Sequence, residues 1–122
     1  NKEASKEYRE LFKNLMLTTA DIFKNSKIYV VQQQDPKCLI TNKKVFARTT
    51  QSGIKEYCSA LASIFKTQEQ TLQDMKNPNI NLIQMYKDNP IPDQGFYDGI
   101  HTNSLGSEII SKYLLNKLRK DF

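Results

Sequence analysis

Asp98 and His101 stand three positions apart in Tyr97-Asp98-Gly99-Ile100-His101, and His101 is the only histidine in the chain. A carboxylate at that spacing on one loop can reach the imidazole Nδ1–H, fix the ring's tautomer and stabilise the imidazolium formed during proton transfer. The opposite ring nitrogen is then free to take a proton from a hydroxyl nucleophile. On this reading Asp98 and His101 are the acid–base half of a nucleophilic site. The bland alternative is a structural loop histidine, because D-x-x-H also arises by chance. Asp88 and Asp93 are alternative acids, but neither is spaced from His101 on a short rigid turn.

The elements around the pair follow from periodicity. Tyr8, Leu11, Phe12, Leu15, Met16, Ala20 and Phe23 recur at three- and four-residue steps, which predicts an amphipathic helix over 2–24 with these residues inward. Lys27 to Gln33 reads as a strand, with Ile28-Tyr29-Val30-Val31 the continuous apolar run of a strand covered on both faces. Residues 34–50 are irregular, broken by Asp35-Pro36. A second helix is expected over 51–75 and is stopped by Asn77-Pro78-Asn79. A second strand follows over 80–86, then a loop through Asn89-Pro90-Ile91-Pro92. The last helix runs from about Ser104 to Lys120, capped by Asn103 or Ser104. Its apolar face is expected to carry Leu105, Ile109, Ile110, Tyr113, Leu114 and Leu118.

Strand–helix–strand is a right-handed crossover that yields a parallel pair. Two strands make a poor sheet, and three amphipathic helices cannot all be covered by it. The order therefore reads as the second half of a doubly wound α/β domain, over 1–122. In such sheets ligands bind in loops beyond the carboxyl ends of the strands, where the Asp98–His101 loop falls.

The stretch Tyr97-Asp98-Gly99-Ile100-His101-Thr102-Asn103-Ser104-Leu105-Gly106, followed by an apolar helix, resembles the last block of the SGNH (GDSL-like) hydrolases, approximately D-G-I/V-H-P-N-x-x-G. The rest of the chain fits that family in outline, and the specific motif is confined to these residues. The resemblance implies the C-terminal half of a flavodoxin-like, three-layer α/β/α domain. It implies a serine esterase or acylhydrolase in which Asp98 is the triad acid and His101 the base, with no cofactor and no metal. Gly99 and Gly106 would serve the loop turn and the helix entry, and Thr102 stands where the family has proline.

The larger departure is that no G-D-S and no G-x-N-D occur. Neither Ser52 nor Ser107 sits on a strand-to-helix elbow, and Ser104 and Ser107 suit helix capping better than nucleophilic attack. The resemblance thus implies that the nucleophile belongs to an N-terminal half of the same hydrolase, which would be this chain's partner. The implied substrates are a small ester, a lipid or an acetylated carbohydrate, by hydrolysis or transfer. The alternative is a non-catalytic α/β module, derived from such a hydrolase, that binds carbohydrate or protein.

Bulk properties bound the rest. A chain of 122 residues with 39% apolar and 25% charged residues suits a folded domain. The net charge of +5 does not point to nucleic acid, because the lysines of the first helix alternate with acids. The basic group Lys112, Lys117, Arg119 and Lys120 sits near the last helix's C-terminus, where it complements the dipole. No apolar run is long enough to span a membrane. The first residues do not read as a signal peptide, and a start at Asn1 rather than Met is what removal of an upstream segment would leave. No glycine-rich phosphate loop is present.

Cys38 and Cys58 admit either a disulfide, which would suit a secreted or periplasmic protein, or two buried thiols, the simpler reading. The Asp35-Pro36-Lys37-Cys38 turn could shape substrate selection or be a plain surface turn. Phe96 and Tyr97 could line an acyl or sugar pocket or anchor the loop.

Overall fold

The computed structural model describes residues 2–38, 51–97 and 101–121. The protein is mixed α/β and mostly helical, at 70%, with one two-stranded parallel sheet among the described residues. The elements are α1 (Lys2–Ile22), β1 (Ile28–Val31), α2 (Gln51–Met75), β2 (Ile80–Ile83), α3 (Met85–Asp88) and α4 (Ser104–Leu118). Short 3₁₀ turns lie at Pro36–Cys38, Asp93–Gly95 and Arg119–Asp121. The chain divides into two compact units, Asn1–Val31 with Ser59–Ile83, and Gln32–Cys58 with Gln84–Phe122.

The first unit holds the sheet. Ile28 pairs with Ile80 and Val31 with Ile83, in parallel register. A parallel pair needs a long crossover, and α2 lies in the intervening chain. The helix stops where Asn77-Pro78 forbids its continuation. Lys76 takes a left-handed φ of 51°, and the Asn79 N–H donates to Asn77 Oδ1 at 2.9 Å. The carbonyl of Asn79 then accepts from Ile28 N–H at 2.7 Å, setting the register at the sheet's first rung. Tyr8 and Gln68 join α1 to α2 through a 2.7 Å hydrogen bond.

The stripe expected on α1 is only half right. Phe12 and Met16 are buried, but Leu11, Leu15 and Phe23 are exposed, Leu11 at 69%, and so is Ile22. Leu11 and Phe12 sit about 100° apart on the helix, as do Leu15 and Met16. The apolar arc is therefore too wide for one neighbour, and only one side of it is covered among the described residues. Helix α1 also ends at Ile22, two residues short of the expected Lys24.

The second unit combines buried polar contacts with a small apolar core. The side-chain amide of Gln34 donates to Ile91 O at 2.7 Å and accepts from Ile91 N at 2.9 Å. Gln32, fully buried, accepts on its carbonyl from Tyr86 N–H at 2.8 Å. The second strand is shorter than the 80–86 expected. After Ile83 the chain turns at Gln84 into α3, which Asn89 closes in a left-handed conformation with φ 45°. Ile54, Met85, Ile91 and Phe96 are this unit's buried apolar residues.

Cys38 and Cys58 are joined in a disulfide, so the reading as two buried thiols is corrected. The bond ties the Pro36–Cys38 turn to the first turns of α2. Two further contacts act at the same place. The Tyr57 hydroxyl donates to Asp35 Oδ2, and the Lys37 ammonium lies 5.3 Å from the centre of the Tyr57 ring. Within the turn, Lys37 N–H donates to Asp35 Oδ1 at 2.9 Å. The turn is thus braced on both sides.

Candidate functional site

His101 lies on a small antiparallel ladder that precedes α4. Phe96 and Thr102 form its bridge. On either side, Asn103 N–H donates to Gly95 O at 2.9 Å and Tyr97 N–H to His101 O at 3.2 Å. Residues 97 and 101 are therefore the next opposed pair, with side chains on one face. Period-two alternation does the rest. Phe96 points inward and is 4% exposed, whereas Tyr97 points outward at 63% and His101 is exposed beside it. The two rings stack, centroids 5.6 Å apart and planes 12° from parallel.

Helix α4 fixes the other end of the ladder. Asn103 is the cap, not Ser104: its Oδ1 accepts from Gly106 N–H at 3.0 Å. The same side chain's Nδ2 donates to Gln94 O at 2.6 Å, so one amide joins the helix entry to the Asp93–Gly95 turn. Gly106 packs directly on that turn. A Cβ at Gly106 would sit 2.2 Å from Gly95 O, and one at Gly95 would meet Ile91 Cγ2 at 2.4 Å. Only glycine fits either position. Ser107, expected as a cap, places its Oγ 3.3 Å from Thr102 Oγ1 instead.

A continuous set of contacts leads to the histidine. Gln34 grips Ile91, Ile91 packs against Gly95, and Gly95 receives Asn103 and Gly106. Neither Gln34 nor the Gly95–Gly106 contact was anticipated from the sequence. The pattern of a buried glutamine meeting a loop backbone has no local signature, since the partners are 57 positions apart.

Asp98 and Gly99 lie outside the described residues, as does Ile100. Of the other acids, Asp88 is engaged elsewhere. Its Oδ2 accepts from the Tyr113 hydroxyl at 2.5 Å and lies 3.4 Å from Lys117 Nζ. The hydrogen bond from Tyr113 holds the Asp88 carboxyl below the ordinary carboxylate value. Burial, then Asp88 itself, pushes Tyr113 above the usual tyrosine range. This group pins α4 to the end of α3. The hydrogen bond to Asp35, followed by burial, likewise raises Tyr57 to about 12. Asp93 sits in the 3₁₀ turn that precedes the ladder.

Among the described residues no cluster of histidine, cysteine and acidic side chains could hold a metal ion. No helix there is long and apolar enough to cross a membrane. Thr102, where the resembling family has proline, keeps its N–H and presents a hydroxyl toward Ser107. What the arrangement can do chemically is present one exposed imidazole beside a short ladder at a helix entry. No family model, no curated protein and no solved structure matches the chain.

Proposed function

We propose that the chain is the C-terminal half of a serine esterase of the SGNH type, with a flavodoxin-like three-layer domain completed by an N-terminal half that carries the nucleophile. In this reading Asp98 orients the His101 ring through Nδ1–H, and Nε2 takes the proton of a serine hydroxyl as the oxygen attacks an ester carbonyl. The imidazolium returns that proton to the departing alcohol, leaving an acyl-serine. Water, deprotonated by the same ring, then attacks the acyl carbonyl, and the serine oxygen leaves as it takes that proton back, releasing the acid. No metal or organic cofactor takes part.

The observation that carries the reading is the ladder Phe96–Thr102, which sets the exposed His101 opposite Tyr97 immediately before a capped helix. The ring is exposed at the surface, stacked on Tyr97, where a reactant can reach it. The braced backbone on both sides supports a role needing a fixed position. For the partner half, the support is the uncovered apolar row Leu11, Leu15 and Ile22 on α1, together with a parallel sheet of two strands. Parallel sheets are ordinarily wider and covered on both faces. A disulfide is at home in secreted or periplasmic proteins, which gives export its support.

The test is turnover of p-nitrophenyl acetate by the protein as isolated from its source, beside His101→Ala and Asp98→Ala. General-base loss lowers kcat by about 10²- to 10⁴-fold, and loss of the orienting acid falls in the same range. Turnover that persists unchanged in the histidine variant overturns the esterase reading and leaves the binding module. Mass spectrometry of the same material checks the partner half: a folded monomer of 14.1 kDa alone contradicts it.

A further inference from the structure

We infer that Tyr97 is a positioning residue for His101, holding the imidazole plane by stacking before any reactant arrives. The inference rests on the reading of His101 as the proton acceptor. An exposed histidine on a loop ordinarily samples several χ1 and χ2 rotamers, and a base that wanders spends little time aligned with the hydroxyl it must deprotonate. Here the ladder removes that freedom. The Phe96–Thr102 bridge and the Tyr97 N–H to His101 O bond set residues 97 and 101 face to face. Their rings meet at 5.6 Å with a 12° interplanar angle, inside the range of favourable aromatic pairs.

Burial separates this role from an anchoring one. Phe96, the inward neighbour, is the residue that fastens the loop to the core. Tyr97 is 63% exposed, so its ring contributes little to the core and lies instead against the histidine ring. The stack needs a flat ring and not the phenolic oxygen. Phenylalanine should therefore replace tyrosine without loss, and a branched aliphatic side chain should not. Substituting so exposed a residue leaves the rest of the unit folded.

The test compares Tyr97→Leu and Tyr97→Phe with the unaltered protein in two readouts. His101 is the only histidine, so its ring-proton resonances are assigned without ambiguity. Loss of the tyrosine ring current moves those resonances downfield in Tyr97→Leu, while Tyr97→Phe leaves them in place and the remaining amide spectrum stays constant. In p-nitrophenyl acetate turnover, Tyr97→Leu lowers kcat by about 2- to 10-fold with KM held, and Tyr97→Phe restores it. Unmoved resonances in Tyr97→Leu overturn the inference, and so does a moved resonance with unchanged kcat. If the unaltered protein shows no turnover while the resonances respond as described, the stack stands and the esterase reading fails instead.

Discussion

Gln34 and Ile91 exchange two hydrogen bonds, the glutamine amide matching the N–H and C=O of one backbone residue as a strand would. Both residues are buried, so neither backbone group of Ile91 has water as a substitute partner. Through Ile91 the grip extends to Gly95 and to the ladder that carries His101. Gln34→Leu fills the space and leaves both groups unsatisfied. The expected loss is about 2–5 kcal/mol, read from the midpoint of urea unfolding. A loss below about 1 kcal/mol would mean that the clamp is incidental.

Gly106 offers a sharper steric test. Alanine there brings Cβ to 2.2 Å from Gly95 O, and backbone cannot give way as a flexible side chain can. Gly106→Ala should therefore destabilise by about 1–3 kcal/mol or more, despite alanine's better helix propensity. Ser107→Ala, one position on and exposed, is the control and should fall within about 0.5 kcal/mol of the parent. A Gly106→Ala protein as stable as that control contradicts the packing described.

The disulfide should matter for stability as well as local order. Joining Cys38 to Cys58 closes a loop of sequence separation 20, for which the unfolded-chain constraint is worth about 3 kcal/mol. Replacing both cysteines by serine, or reducing the bond with a dithiol, should lower stability by roughly that amount. Hydrogen exchange localises it: the Lys37 and Cys38 amides, bonded within the Asp35 turn, should lose protection first. Protection unchanged on reduction would show that Tyr57 and Lys37 suffice to hold the turn.

Much of this architecture was legible in the residues. The bounds of α2 follow directly from its apolar repeat and from Asn77-Pro78, and the parallel pairing follows from strand–helix–strand order. The cap at Asn103 was legible as one of two neighbouring choices. The end of the second strand was not, because Ile80 to Tyr86 is a short apolar run in which periodicity cannot separate strand from helix. Nor was the true face of α1, since its apolar residues cover more arc than one layer can bury. The disulfide stayed open because sequence separation says nothing of distance. At the site, Asp98 and His101 were visible as residue types, and the stacking of Tyr97 on His101 was not. It depends on a bridge between Phe96 and Thr102, which no local pattern announces.

Alkaline stability carries a sign that can be checked. The folded protein raises Tyr57 from 10.0 to about 12, chiefly by its hydrogen bond to Asp35, so the neutral phenol is favoured by folding. The resulting stabilisation is complete below about pH 10 and is lost as pH climbs toward 12. Tyr57→Phe removes that titration, so unfolding measured across this window should depend less steeply on pH. Asp88 acts in the opposite sense: its lowered carboxyl stabilises above the ordinary carboxylate value and ceases to as acid is added. An alkaline slope identical in Tyr57→Phe and parent would contradict the Asp35 contact.

The proposed esterase chemistry turns on the orientation of one ring by one carboxylate, and nitrogen NMR of the single histidine reads it directly. With the ring neutral, an Asp98 partner on Nδ1–H predicts the Nδ1-protonated tautomer, with Nε2 bare and ready to accept a proton. Asp98→Asn should shift that balance toward the Nε2–H form, as expected when the orienting acceptor is exchanged for an amide. A neutral ring that already carries its proton on Nε2, and that ignores the loss of the Asp98 carboxylate, would contradict the role proposed for Asp98.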